Sequence, residues 1–352
     1  MEAKRRTDML DQADVISRYD QHDILGVIAG QPNQLRQKYS TSGLSKLKTP
    51  STIVVAGMGG SALAAEFIKH WLSDRLPVPL VIVRGYELPA FVDRTTLVIA
   101  SSYSGNTEET IACLEEAKAR SAQRVVMTNG GSLLEHAKAD KLPLFEIPGG
   151  LQPRLTVLYG AKALATLMES LGLVTDLAKD LTEAADWVEG QLGPWTAATP
   201  TAENPAKQLA EALHGHPIVV YGGPVLAFPA MKWKIDANEN AKQLAFYNYL
   251  PEFNHNEFLG WGHPEKSNLR VVELQSTLDH PQIQKRFSVS NRLLAGAMPD
   301  PIVVNAQGKT KLEQMLWTLL LGDYTSAYLA FINQIDPTPV PLIEKLKHEL
   351  AD

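Results

Sequence analysis

Two kinds of block alternate along the first half of the chain. Apolar runs at 52–56, 79–83, 95–100, 124–128 and 143–147 are short and bounded by small polar residues, as buried strands are. Between several of them lie helix-length segments, notably 61–74 and 108–120. Strand and helix alternating at this spacing predict βαβ units, and therefore parallel sheet covered by helices. Further helices are predicted over 156–171 and over 177–192, where apolar positions recur at helical period. The stretch 193–205, with its Pro, Thr and Ala content, reads as a linker. The pattern then restarts. Pro217-Ile218-Val219-Val220-Tyr221-Gly222-Gly223-Pro224 echoes Thr52-Ile53-Val54-Val55-Ala56-Gly57-Met58-Gly59, and runs at 269–274 and 301–304 supply more strands. The expected fold class is α/β, with two related domains in tandem: 1–175, including an N-terminal helix, and 176–352, ending in a C-terminal helix.

The most informative polar segment follows the run at 95–100. In Ser101-Ser102-Tyr103-Ser104-Gly105-Asn106-Thr107-Glu108-Glu109-Thr110, three hydroxyls (Ser102, Ser104, Thr107) and a glycine fall at a strand-to-helix turn. Free backbone N–H groups there lie at the positive end of the helix dipole, which receives a phosphate without needing an arginine or lysine. A second glycine-rich turn, Gly57-Met58-Gly59-Gly60-Ser61, lies between a strand and a helix in the same domain. Each turn also has an ordinary explanation. Ser61 suits a helix N-cap, and Asn106 with Glu109 suits a capping box. The turns match neither the dinucleotide nor the Walker spacing. Two of them at strand C-termini of one parallel domain nevertheless favour a shared phosphate site. The second half has Gly-Pro-Val where the first has Gly-Gly-Ser, and no counterpart of SYSGNT, so only the first domain is expected to bind phosphate.

Size and charge narrow the choice. A chain of 352 residues is too long for one compact core. Its net charge of −6 gives no general attraction to nucleic acid or anionic lipid, so an anionic ligand must be held by local dipoles and one or two placed cations. The single cysteine, Cys113, has no internal disulfide partner and is expected on the buried face of a helix. No apolar run is expected to reach membrane-spanning length and the N-terminus lacks a signal-peptide core, so a cytoplasmic location is expected. No His or Cys spacing resembles a zinc site, and neither metal nor cofactor is expected.

GMGGSALAAEF and SSYSGNTEET resemble the sugar-isomerase (SIS) domain, a flavodoxin-like fold that binds phosphorylated sugars. Pro153-Arg154 with Tyr159, Lys232-Trp233-Lys234, Asn238-Glu239-Asn240-Ala241-Lys242, Pro251-Glu252, His255-Asn256-Glu257 and Gly260-Trp261 resemble one branch of it. That branch is the bifunctional phosphoglucose/phosphomannose isomerase family, built of two tandem SIS domains. The resemblance runs in order from about residue 50 to the C-terminus. It implies that Gly60, Ser61, Ser102, Ser104 and Thr107 bind the 6-phosphate, Arg154 stabilises an enediolate, Glu239 is the catalytic base and His255 opens the sugar ring. It also implies an active-site lysine near the C-terminus, with Lys347 favoured over Lys345, and places Thr338 where the epimer at C2 is accommodated. A homodimer with a composite site and a place in glycolysis and gluconeogenesis are implied as well.

The implied chemistry suits these groups. Moving a proton between C1 and C2 needs one carboxylate over both carbons. The resulting enediolate calls for an electrostatic partner such as a guanidinium. Ring opening calls for a group titrating near neutrality. Read locally, each residue has a plainer role. Glu239 suits a solvated helix, His255 a turn and Arg154 a surface cap, while Lys232, Lys234 and Lys242 suit a solvated helix face. A non-catalytic sugar-phosphate sensor is the alternative, and an isomerase of amino-sugar or pentose phosphates a third reading.

Overall fold

The computed structural model describes residues 9–263 and 267–351, the side chains of Lys347 and Ala351 excepted. After a 3₁₀ turn come helices α1 (Ala13–Tyr19) and α2 (Ile24–Ala29). The chain divides into two compact units, one formed by 30–187 and the other by 1–29 together with 188–352. The N-terminal helices therefore belong with the second half. This differs from the expected division at 175/176, because Leu10, Ile24 and Ile28 are fully buried and their segments pack on a long helix of that half.

In the 30–187 unit, β1 (Thr52–Ala56), α3 (Gly60–Trp71), β2 (Leu80–Val83), β3 (Thr96–Ser102), α4 (Glu108–Ala119), β4 (Gln123–Thr128), α5 (Gly131–Ala139) and β5 (Leu144–Glu146) alternate as the apolar runs predict. The five strands are all parallel, in the order β2-β1-β3-β4-β5. Every residue of β3 is buried, as a central strand covered on both faces requires. Val54 pairs with Val81 and with Val98, and one face of this row packs with Cys113 and Ala117 of α4. Cys113 is buried as expected, and burial pushes its thiol up to about 11. Helices α6 (Val157–Ser170) and α7 (Leu177–Glu189) complete this half.

The other unit contains α8 (Pro205–Leu213), β6 (Ile218–Gly222), α9 (Ala227–Glu239), β7 (Ala245–Tyr249), α10 (Glu257–Trp261), β8 (Arg270–Gln275), α11 (Pro281–Leu293), β9 (Ile302–Asn305), α12 (Lys311–Ile332) and α13 (Pro341–Ala351). Its parallel strands run β7-β6-β8-β9, repeating the order of the first four strands of the other sheet. The short sequence echo at β1 and β6 is thus part of a topological repeat. Strand β7 is an edge strand in which only Ala245 is buried, while Phe246, Tyr247 and Tyr249 are exposed.

Three local expectations give way to packing. The stretch 193–205 is structured rather than a linker: Trp195 is buried against Trp317 with ring centroids 5.3 Å apart, and Asn204 caps α8. Helix α12, at 22 residues, is long and apolar enough to span a membrane, but nearly all of it is buried in the folded chain. Lys232 is fully buried rather than on a solvated face.

Candidate active site

In a sheet of this order, connections leave β1 and β3 in opposite directions, and ligands bind at the strand C-termini where they part. The 57–59 and 103–107 loops lie there. The capping roles open to Ser61 and Asn106 are not what is seen. Gly59 precedes the first turn of α3, with φ of 49°. Ser61 accepts a hydrogen bond from the Tyr103 N–H through Oγ, at 2.9 Å, and its carbonyl accepts from Ser101 Oγ, at 2.9 Å. The two loops are stitched together at Ser61. Thr107 is the N-cap of α4, while Asn106 Oδ1 accepts from the N–H of Ser132, at 2.9 Å, and from its Oγ. Ser102 Oγ and Thr107 Oγ1 share a hydrogen bond of 2.7 Å, and Ser102 Oγ also accepts from the Gly105 N–H at 3.1 Å. Ser104 is exposed and Thr107 half-buried at the mouth; Ser102 is buried beneath them.

Arg154 is brought to this mouth by packing. A Cβ on Gly60 would lie 2.7 Å from Pro153 and 2.9 Å from the Arg154 backbone N, so only glycine lets the 153–154 turn seat here. Two residues that the sequence did not single out hold that turn. Tyr103 donates its hydroxyl to the Pro148 carbonyl, at 3.2 Å, and accepts from the Leu151 N–H, at 3.1 Å. Gln34, far away in sequence and buried, donates to the Leu155 carbonyl, at 2.7 Å, and accepts from the Tyr159 N–H. Tyr103 stands inside a recognisable motif, whereas Gln34 offers no local signal. Arg154 itself is 2% exposed, a cation held in place and nearly withdrawn from water. A small cavity of about 20 Å³ is lined by Gly60, Ser61, Tyr103 and Thr156 among others. Gly60, Ser61, Ser102, Ser104 and Thr107 thus fall in one loop cluster at the strand C-termini, with the backbone of Arg154 against Gly60.

In the other unit, Glu239 is the last residue of α9 and is half-buried. Its neighbours are anchors. Asn238 donates to the carbonyls of Lys234 and Ala245. Asn240 donates to Ser326 Oγ, and the Lys242 ammonium donates to the carbonyls of Asp336 and Pro337, each at 3.1 Å. Lys242 thus ties the end of α9 to the turn bearing Thr338, whose N–H donates to Asp336 Oδ1 at 2.8 Å. One and two turns below Glu239, Lys232 and Asp236 are buried with Asp323 of α12, the ammonium 2.6 Å from Asp236 and 2.7 Å from Asp323. Burial, opposed by Lys232 and reinforced by Asp323, pushes the Asp236 carboxyl far up.

His255 ends the 3₁₀ turn Glu252–His255 and is exposed. Its neighbours are again anchors. Glu257 accepts from the Tyr221 hydroxyl and from Asn248 Nδ2, the latter at 2.7 Å. Trp261 Nε1 donates to the Tyr221 hydroxyl at 2.9 Å. Lys345 lies on exposed α13, and the side chain of Lys347 lies outside the described residues.

Residues 46–139 match the family model described as SIS domain, and residues 202–350 match that of the bacterial phospho-glucose isomerase C-terminal SIS domain. The bifunctional phosphoglucose/phosphomannose isomerase of Caldicellulosiruptor bescii is 34% identical over 91% of this chain and 97% of its own length. Its namesake from Aquifex aeolicus is 34% identical over 93% and 98% respectively. Among solved structures, the C-terminal domain of glucosamine-fructose-6-phosphate aminotransferase from Francisella tularensis shares the fold, with a TM-score of 0.71, 15% identity, and 91% of this chain and 98% of that one covered. With a repeated sheet order, a hydroxyl-lined switch point in the first sheet and full-length relatives at this identity, the chain belongs to the bifunctional phosphoglucose/phosphomannose isomerase family.

Proposed function

We propose that this protein interconverts glucose 6-phosphate and mannose 6-phosphate with fructose 6-phosphate through a cis-enediolate. The observation that supports the reading is the pair of loops at the strand C-termini, joined through Ser61 and carrying the hydroxyls of Ser102, Ser104 and Thr107, with the Arg154 backbone seated against Gly60. The full-length relatives, named as isomerases, support catalysis over a sensor role. In this reading the loops hold the 6-phosphate by hydroxyls and helix dipole. Arg154 balances the charge that develops on the enediolate oxygens, where a buried guanidinium is most effective. Glu239 carries the proton between C1 and C2, and His255 moves the ring-opening proton. A lysine of α13, Lys347 in our assignment, and Thr338 complete the substrate contacts. We further propose a cytoplasmic homodimer acting in glycolysis and gluconeogenesis.

Purified protein given fructose 6-phosphate, with chelator present, is expected to yield both aldose phosphates. Absence of turnover would overturn the proposal in favour of a sensor. Glu239→Gln is expected to lower kcat by about 10²–10⁴-fold while leaving fructose 6-phosphate affinity nearly unchanged. A homodimer with a composite site predicts that specific activity falls when the enzyme is diluted below its dissociation constant.

A further inference from the structure

The second sheet repeats the strand order of the first, so it has a switch point of its own, between β6 and β8. The glycine turn after β6 leads into the 13-residue α9, which supplies the same helix-terminal N–H groups that favour an anion in the first sheet. The loop after β8 fills this place with a side chain. Asp279 stands at the same offset from the end of β8 as Asn106 does from the end of β3. Its carboxylate reaches across to the β6 turn, where Oδ1 accepts from the Val225 N–H at 3.0 Å. A Cβ on Gly223 would lie 2.0 Å from Oδ2, so the carboxylate sits directly over the glycine turn. Asp279 is 4% exposed, and Oδ2 has no hydrogen-bond partner among the described residues. A buried carboxylate oxygen without a donor is costly and is seldom left in place without a reason.

We infer that Asp279 is a built-in anion that occupies the phosphate seat of the second SIS unit and restricts sugar-phosphate binding to the first. The inference rests on reading the first unit's loops as the phosphate site. It accounts for a repeat in which two switch points share one strand order, while the loop hydroxyls of the second, Ser276 and Thr277, are taken up by Gln314. The carboxylate takes the backbone N–H that a phosphate oxygen would take, and its charge repels a second anion. The class of ligand excluded is a phosphate monoester or inorganic phosphate.

The test is the stoichiometry of inorganic phosphate, measured by calorimetry on the full chain. Wild type is expected to bind one phosphate per chain, displaced by fructose 6-phosphate. Asp279→Ser, which empties the seat, is expected to bind two. Adding Ser104→Ala and Thr107→Val to Asp279→Ser should return the number to one. A folded Asp279→Ser protein that still binds a single phosphate overturns the inference. A wild type that binds none overturns the reading of the first unit instead. Should Asp279→Ser fail to fold, phosphate must restore its circular dichroism beyond what potassium chloride of equal ionic strength does; absence of that rescue also overturns the inference.

Discussion

Thr107 and Ser104 differ from Ser102 because they are not buried beneath the mouth, and from Ser61 because neither cross-links the two loops. A hydrogen bond to a charged partner contributes about 1.5–3 kcal/mol. Thr107→Val is therefore expected to raise KM for fructose 6-phosphate by roughly ten- to a hundredfold, with a smaller effect on kcat, as steady-state kinetics would show. Gly60→Ala acts differently, since its added carbon meets backbone of the 153–154 turn. We expect it to displace Arg154 and lower kcat more than it raises KM. Asp279 gives a prediction in pH. Burial lifts its folded pKa to about 6, above the ordinary 3.8, while the Val225 N–H and Lys311 act in the opposite direction. Between about pH 4 and pH 6 the native state then holds a proton that the unfolded chain has lost, while above that range the carboxylate is charged in both. Its stability contribution is present below pH 4 and lost as pH rises through 6. Asp279→Asn should match wild type near pH 4 and exceed it by about 2–3 kcal/mol at pH 7 in urea unfolding. At this scale the sequence showed which residue types meet at the mouth. It did not show that Ser61 and Asn106 act as cross-links instead of caps, since their partners, Tyr103 and Ser132, come from other loops.

Elements built on continuous apolar runs were legible: β1 spans the residues read for it, and the other strands of the first sheet shift by one or two at their ends. Edge strand β7 was missed because its residues are mostly exposed aromatics broken by Asn248, unlike the aliphatic run of edge strand β2. Helix α9 was misjudged for a related reason. Its lysines read as solvated, yet Lys232 meets two carboxylates brought by its own turn and by α12, a pairing at long range that no local pattern announces. Removing one member of a buried ion group leaves charge uncompensated, so Lys232→Met is expected to cost about 3–5 kcal/mol, and chemical denaturation would measure it. The 148–154 segment gives a milder case. Tyr103→Phe removes both hydroxyl bonds that hold it. We expect kcat to fall several-fold with the melting temperature lowered by only a few degrees, the signature of a loosened Arg154 turn.

On the scale of the whole molecule, a second related unit was readable from one eight-residue echo, but neither its strand order nor the way the chain is shared between units was. An N-terminal helix was expected with the first domain; instead Leu10, Ile24 and Ile28 find their core on α12, some 300 residues later. In sequence, the 30–187 unit is thus inserted between two stretches of chain that belong together. On the ribosome, the inserted unit has all its residues well before the other does. At about 5–20 residues per second, the N-terminal helices wait on the order of tens of seconds for the partner that covers them. For that interval their apolar faces are the natural clients of a holdase, and a nascent chain stalled near residue 200 should present a finished inner module beside an unclaimed N-terminal arm.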